Sequence, residues 1–171
     1  ETDGVDVAAD WTIPAGDRGD FGIQLAYSHF LSYEIPDGNG GMTDVVGSFN
    51  HDNFVRSMPQ KKWNLTADWE RGNHSAAMVV YYVDSYKTGR GVPASAQALG
   101  FNSGISNWRT MDLSYNYNFN LGDTQAVFTL GGKNVFDKEA PRVYDAANFS
   151  YDPKHHDPRG RMFFARVKFA L

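Results

Sequence analysis

The amino-acid sequence predicts an all-β fold, an antiparallel transmembrane β-barrel segment of about seven strands. Three observations carry this. Apolar and polar residues alternate along successive segments of the chain. The apolar side of most segments is large and often aromatic, and the other side is small or polar. The connections alternate between tight Gly/Asp/Asn turns and loops of about twenty residues, the asymmetry of outer-membrane barrels.

The first expected strand runs from Val5 to Ile13, with Val5, Val7, Ala9, Trp11 and Ile13 opposing Asp6, Ala8, Asp10 and Thr12. After the Gly16 to Asp20 turn, the second, Phe21 to Ile35, places Phe21, Ile23, Leu25, Tyr27, Leu31 and Tyr33 outward. His29 falls on that apolar side, either as an interfacial residue or as the mark of a bulge that would turn Phe30 outward. Pro36 to Pro59 reads as a long loop. In the third strand, Lys62 to Arg71, Trp63, Leu65, Ala67 and Trp69 alternate with Asn64, Thr66, Asp68 and Glu70, and Gly72-Asn73 makes a tight turn. The fourth, His74 to Lys87, is apolar on both sides; placing Ala77, Val79, Tyr81 and Val83 outward keeps Asp84 away from lipid. A second long loop spans Thr88 to Asn107. The fifth strand alternates Met111, Leu113, Tyr115, Tyr117 and Phe119 with Thr110, Asp112, Ser114, Asn116 and Asn118. The sixth, Thr124 to Phe136, sets Ala126, Phe128 and Leu130 against Val127, Thr129 and Lys133. The third long loop, Asp137 to Arg159, leads to the seventh strand, Gly160 to Leu171, with Phe163, Ala165, Val167, Phe169 and Leu171 outward.

Strands of this length suit a tilted span of roughly 9 to 11 residues. Trp11, Trp63, Trp69, Trp108 and Phe119 at strand ends fit interfacial aromatic girdles. A negative mean hydropathy does not argue against a membrane, because a barrel strand averages an apolar and a polar face. No stretch approaches the ~20 apolar residues of a spanning helix. The opening Glu1-Thr-Asp-Gly-Val-Asp6 starts in mid-pattern, with no leader-like region, and reads as a cut. With no cysteine among 171 residues, disulfides and thiolate metal sites are excluded. The 16 basic and 20 acidic residues are scattered, with a formal charge of -4, so nucleic acid is not an expected partner.

Three segments near the C-terminus carry a family resemblance: Leu130-Gly-Gly-Lys-Asn-Val-Phe-Asp137, Tyr151-Asp-Pro153 and Gly160-Arg-Met-Phe-Phe-Ala-Arg-Val-Lys-Phe169. In order and spacing they resemble the C-terminal signature of TonB-dependent outer-membrane receptors, and Glu1 to Asp6 is similar to that family's entry into a barrel strand. The family usually ends on an aromatic residue, whereas this chain ends Phe169-Ala-Leu171. The resemblance implies that residues 1–171 are the C-terminal part of a barrel of about 22 strands, without the plug domain and earlier strands. It further implies a bacterial outer-membrane location, the lipid bilayer, the protein's own plug and TonB as partners, and import of a scarce nutrient such as a ferric siderophore. Gly160, Phe163, Val167, Phe169 and Leu171 would then belong to the barrel-closing strand.

Arg142, Tyr144, Tyr151, His155 and His156 in the last long loop are the candidates to bind an anionic or catecholate small molecule by charge and stacking. The plainer alternative is that they are loop residues packed against neighbouring loops. His155-His-Asp157 invites a metal reading, but adjacent histidines lack the spacing that aims two rings at one ion, so no metal is expected. Asp6, Asp10, Glu34, Asp68, Glu70, Asp112, Lys133, Arg166 and Lys168 read as a solvated ladder of charges on the lumen face. Asn64, Asn73 and Asn148 begin N-glycosylation patterns that a bacterial outer membrane would leave unused. No phosphate loop or nucleophile elbow is present, so no cofactor and no enzyme is expected. Two classes compete: a barrel enzyme such as a lipase or protease, for which the chain offers no distinctive nucleophile and base pair, and a soluble β-sandwich module that binds carbohydrate on Trp and Tyr platforms.

Overall fold

A computed structural model describes residues 1–49, 57–89, 91–144 and 150–170. Leu171 and the Asn148 pattern fall outside them. In chain order the elements are β1 (Thr2–Pro14), a 3-10 turn (Gly16–Arg18), β2 (Asp20–Pro36), β3 (Met42–Asp44), β4 (Ser48–Phe49), β5 (Ser57–Met58), β6 (Lys61–Arg71), β7 (His74–Val83), β8 (Tyr86–Thr88), α1 (Ala94–Gln97), β9 (Gly104–Ile105), β10 (Trp108–Leu121), β11 (Thr124–Lys133) and β12 (Met162–Phe169). The chain is all-β, dominated by one large antiparallel sheet ordered β1-β2-β6-β7-β10-β11-β12, with β3 paired to the end of β2. Each long strand therefore pairs with the next long strand in sequence. The sheet is open, not a closed barrel, and is too small to be the 22-stranded barrel implied by the resemblance.

Pairing puts the alternating residues in register. Trp11, Ile23 and Ala67 form one cross-strand row, and Leu113 lies between Met78 and Gly132 in another. One face is thus apolar across all seven strands. Trp11 is 54%, Leu113 44%, Leu130 53% and Val167 49% exposed, so this face has no cover among the described residues. In water each half-exposed Leu or Val would forgo roughly 1 kcal/mol of burial. Trp63 and Tyr82 stack on this face at 5.2 Å. The opposite face is polar and satisfied laterally: Thr129 donates to Asn116 at 2.8 Å, and Asn116 donates to Ser75 at 3.2 Å.

The register corrects the fourth strand. Ala76, Met78, Val80 and Tyr82 lie on the apolar face, because they pair with Trp69, Ala67, Leu65 and Trp63; Ala77, Val79, Tyr81 and Val83 lie on the polar face. The constraint from Asp84 does not apply, since β7 ends at Val83 and Asp84 instead accepts from the Tyr82 hydroxyl at 3.1 Å. Tyr86–Thr88 belongs to the other sheet, β5-β4-β8-β9, so it does not prolong this strand. The bulge lies at Leu31, opposite the Asp3/Gly4 step. His29 keeps the outward parity of Val5, Phe30 pairs with Gly4 on the polar face, and Tyr33 pairs with Thr2 there. The alternative that turned Phe30 outward and the outward assignment of Tyr33 are thereby overturned. Trp108 also leaves the expected girdle: it shares the polar face with Thr110 and is buried under the loops.

The three short turns lie at one end of the sheet and the three long connections at the other. Gly72, with φ +57°, opens the two-residue hairpin Gly72-Asn73, a conformation that glycine adopts without cost. At the other end the long connections build their own small layer. Val83, Tyr86, Ile105, Trp108 and Val143 form its core, with Phe49 packed against it. The Asn134 to Asp137 segment ties this layer to the sheet. The Asn134 backbone N–H donates to Asp112 at 2.9 Å, the Val135 N–H continues the ladder to Met111 at 2.9 Å, and the Arg161 N–H donates to Asp137 at 2.9 Å. Three strands, β10, β11 and β12, are so joined by one short segment.

Candidate ligand-binding site

The polar face and the long connections enclose a cavity of about 740 Å³ at the loop end of the sheet. Its floor comes from alternate residues of the strands, including Ser28, Lys62, Tyr81, Thr110, Asp112 and Lys133. These point the same way because the strand period is two and the register aligns their parity. Its roof is the last long connection, from Tyr151 through His155, His156 and Asp157 to Gly160.

Three of the five expected ligand residues, Tyr151, His155 and His156, line this cavity. The other two do not. Arg142 donates from Nη1 to the Leu99 carbonyl at 2.9 Å and fastens one loop to another, and Tyr144 packs edge-on against Phe101. Gly160 lines the cavity where the chain enters β12, while Phe163, Val167 and Phe169 stand on the apolar face. Lys62 and Tyr81 escaped the sequence reading as site residues, and Lys133 was visible only as one more lumen charge. Strand parity alone marks all three as facing one side, but only the roof makes that side a site.

Asp152 organises the roof. Its carboxylate accepts from the Tyr86 hydroxyl at 2.7 Å and from the Lys154 backbone N–H at 3.0 Å, while its carbonyl accepts from the His156 N–H at 3.0 Å. Burial works to raise this carboxyl, and it is outweighed: the neighbouring Ser57 hydroxyl, which falls short of hydrogen-bond geometry, the Tyr86 and Lys154 donors and His155 together hold it below the usual carboxylate range. Burial, then the bond to Asp152, pushes the Tyr86 hydroxyl up, so it remains a donor. His156 is only 4% exposed, stacks on Tyr86 at 6.1 Å and meets the edge of Trp108 at 5.6 Å. Burial pushes its imidazole down to about 4. Both its ring nitrogens, like the Trp108 Nε1, are buried with no hydrogen-bond partner among the described residues. A buried polar atom left unpaired costs about 1–3 kcal/mol, which a bound hydrogen-bonding molecule would recover.

The charge balance favours an anion. Asp157 is held by a bidentate pair with Arg159 and Asp112 by the Asn134 N–H, so both carboxylates in the lining are engaged. Lys62 lies 6.0 Å from the Phe30 ring centroid, and neither Lys62 nor Lys133 has an ion pair among the described residues. Burial, with Lys62 and Lys154 nearby, pushes His155 down, so this ring too is a neutral partner at ordinary pH. Among the described residues no three His, Cys, Asp or Glu side chains are grouped to hold a metal ion. Besides Lys154, the lining therefore offers the ammonium groups of Lys62 and Lys133, aromatic walls and neutral imidazole hydrogen-bonding edges. Compared with known proteins, the chain matches no family model, no curated protein and no solved structure.

Proposed function

We propose that residues 1–171 form part of the barrel wall of a TonB-dependent receptor in the bacterial outer membrane. On this reading the cavity lies on the capture route of a small anionic chelate, a ferric siderophore or similar compound. Import would be driven by TonB acting through a plug domain, and the wall would pair with the protein's own earlier strands. The observation that carries the reading is the two-faced sheet: an uncovered apolar face over seven strands, with every long connection at one end. A soluble carbohydrate-binding sandwich would cover that face with a second sheet. Here the second sheet is four very short strands drawn from the loops.

The test compares neighbouring positions of β10. Leu113→Arg places a charge on the apolar face, at a cost of roughly 2–4 kcal/mol near a bilayer midplane, whereas Ser114→Arg places it on the polar face. Leu113→Arg is expected to abolish recovery in the outer-membrane fraction and Ser114→Arg to leave it near wild type. Equal recovery of the two variants would remove the lipid-facing assignment.

A further inference from the structure

At the short-turn end, the apolar face changes character over one hairpin. Arg71 and His74 are paired residues flanking Gly72-Asn73, and His74 is in turn paired with Tyr117 of β10. The next row inward is Trp69, Ala76 and Tyr115. His74 Nδ1 lies 2.5 Å from the Tyr115 hydroxyl, and its ring lies 5.0 Å from that of Tyr117. With Tyr115 donating to Nδ1, a neutral ring carries its proton on Nε2 and presents it as a donor. Arg71 has no ion pair among the described residues. Of the carboxylates at this end, Asp20 and Glu70 pair with each other in register on the opposite face, and Asp123 lies in the neighbouring β10–β11 turn. The adjoining turn adds Asp17 and Arg18, one of each sign.

Trp69, Arg71, His74, Tyr115 and Tyr117 line a depression of about 780 Å³ together with the Gly72-Asn73 turn. A second depression, of about 670 Å³, adjoins it through Trp69 and Tyr115 and continues along the apolar face past Met78, Leu113 and Leu130. A cation, Arg71, and the His74 donor at the rim thus run into an apolar groove toward the middle of the sheet. A free anion would use only the first part. An amphiphile with a phosphate head and an acyl chain uses both.

We infer that Arg71, His74 and the Trp69/Tyr115 seam form a binding site for a phospholipid, with the phosphate on Arg71 and His74 and one acyl chain in the groove. The inference rests on the membrane reading above and adds a defined lipid to it. The guanidinium supplies a permanent positive charge beside the phosphate, and tyrosine and tryptophan hold the boundary between head and chain.

The test is native mass spectrometry of the protein extracted from its membrane in mild detergent, counting retained phosphatidylglycerol. Arg71→Gln/His74→Gln is expected to lower retention about fivefold or more, and Arg71→Lys, which keeps the charge, to stay within about twofold of wild type. Inorganic phosphate in excess should leave the lipid in place. If the double variant is membrane-embedded and retains lipid like wild type, the site is overturned and the membrane reading stands. If phosphate displaces the lipid, the site binds an anion alone and the phospholipid assignment is overturned. If wild-type protein is recovered in the carbonate-soluble fraction, the membrane reading falls and the lipid site with it.

Discussion

Asp152 and His156 are buried side by side, and their opposite chemistries meet pH in separate windows. His156 has a folded value of about 4 against 6.5 for an exposed imidazole, so the unfolded chain takes up a proton that the folded loop layer refuses. The stability linked to this ring is complete above pH 6.5 and is lost as pH falls toward about 4, by about 3 kcal/mol over the window. Asp152 is held below its ordinary value; its contribution persists lower still and is lost only as pH falls through that depressed range. Hydrogen-exchange protection of the Tyr86 and Ile105 amides is therefore expected to decline between pH 6.5 and about 4, and His156→Leu to flatten that decline. A wild-type profile that is already flat would mean that the ring is hydrated in solution. Much of this residue-scale chemistry was out of reach of the sequence. His155 and His156 read as loop histidines with some affinity for anions, but nothing in the local sequence announces that Tyr86, 66 positions away, donates to Asp152.

Among the strands, β11 carries the tightest steric condition. A Cβ built on Gly131 would lie 2.3 Å from the Phe164 ring, so the glycine is the space into which the opposing aromatic lies. Gly131→Val is expected to destabilise the sheet by about 1–3 kcal/mol, and pairing it with Phe164→Ala to recover part of that loss. Urea midpoints of the two single variants and the double variant measure the coupling; additive losses would mean that the ring readily swings aside. Element identity was well marked in the sequence wherever the two faces differ chemically. The alternation in β10 left no ambiguity, and the parities of β1, β11 and β12 agree with the register. β7 lacked that contrast because Ala76-Ala77-Met78-Val79-Val80 is apolar on both sides. Its orientation is decided by pairing with Trp63 and Leu65, which is non-local information. The bulge at Leu31 was equally hidden, since one unpaired residue changes parity without changing composition.

For the whole molecule, the open edges of β1 and β12 set the terms. On the proposed membrane reading an unpaired backbone group in hydrocarbon costs several kcal/mol, so both edges would pair with further strands. The cavity would then be one side of a larger lumen, roofed by connections that all rise from the same rim. A ligand held in the cavity would contact Lys62 and Lys133 on the floor, and a charge-assisted contact contributes about 1.5–3 kcal/mol. Lys62→Gln and Lys133→Gln are accordingly expected to weaken binding of a ferric catecholate to whole cells by about tenfold each. Tyr144→Phe, altered where the ring packs on Phe101 away from the cavity, is expected to leave binding unchanged. The contrast matters more than either loss alone. Weaker binding in Tyr144→Phe, with both lysine variants intact, would put the ligand on the loop exterior and leave the two ammonium groups as part of a solvated charge ladder.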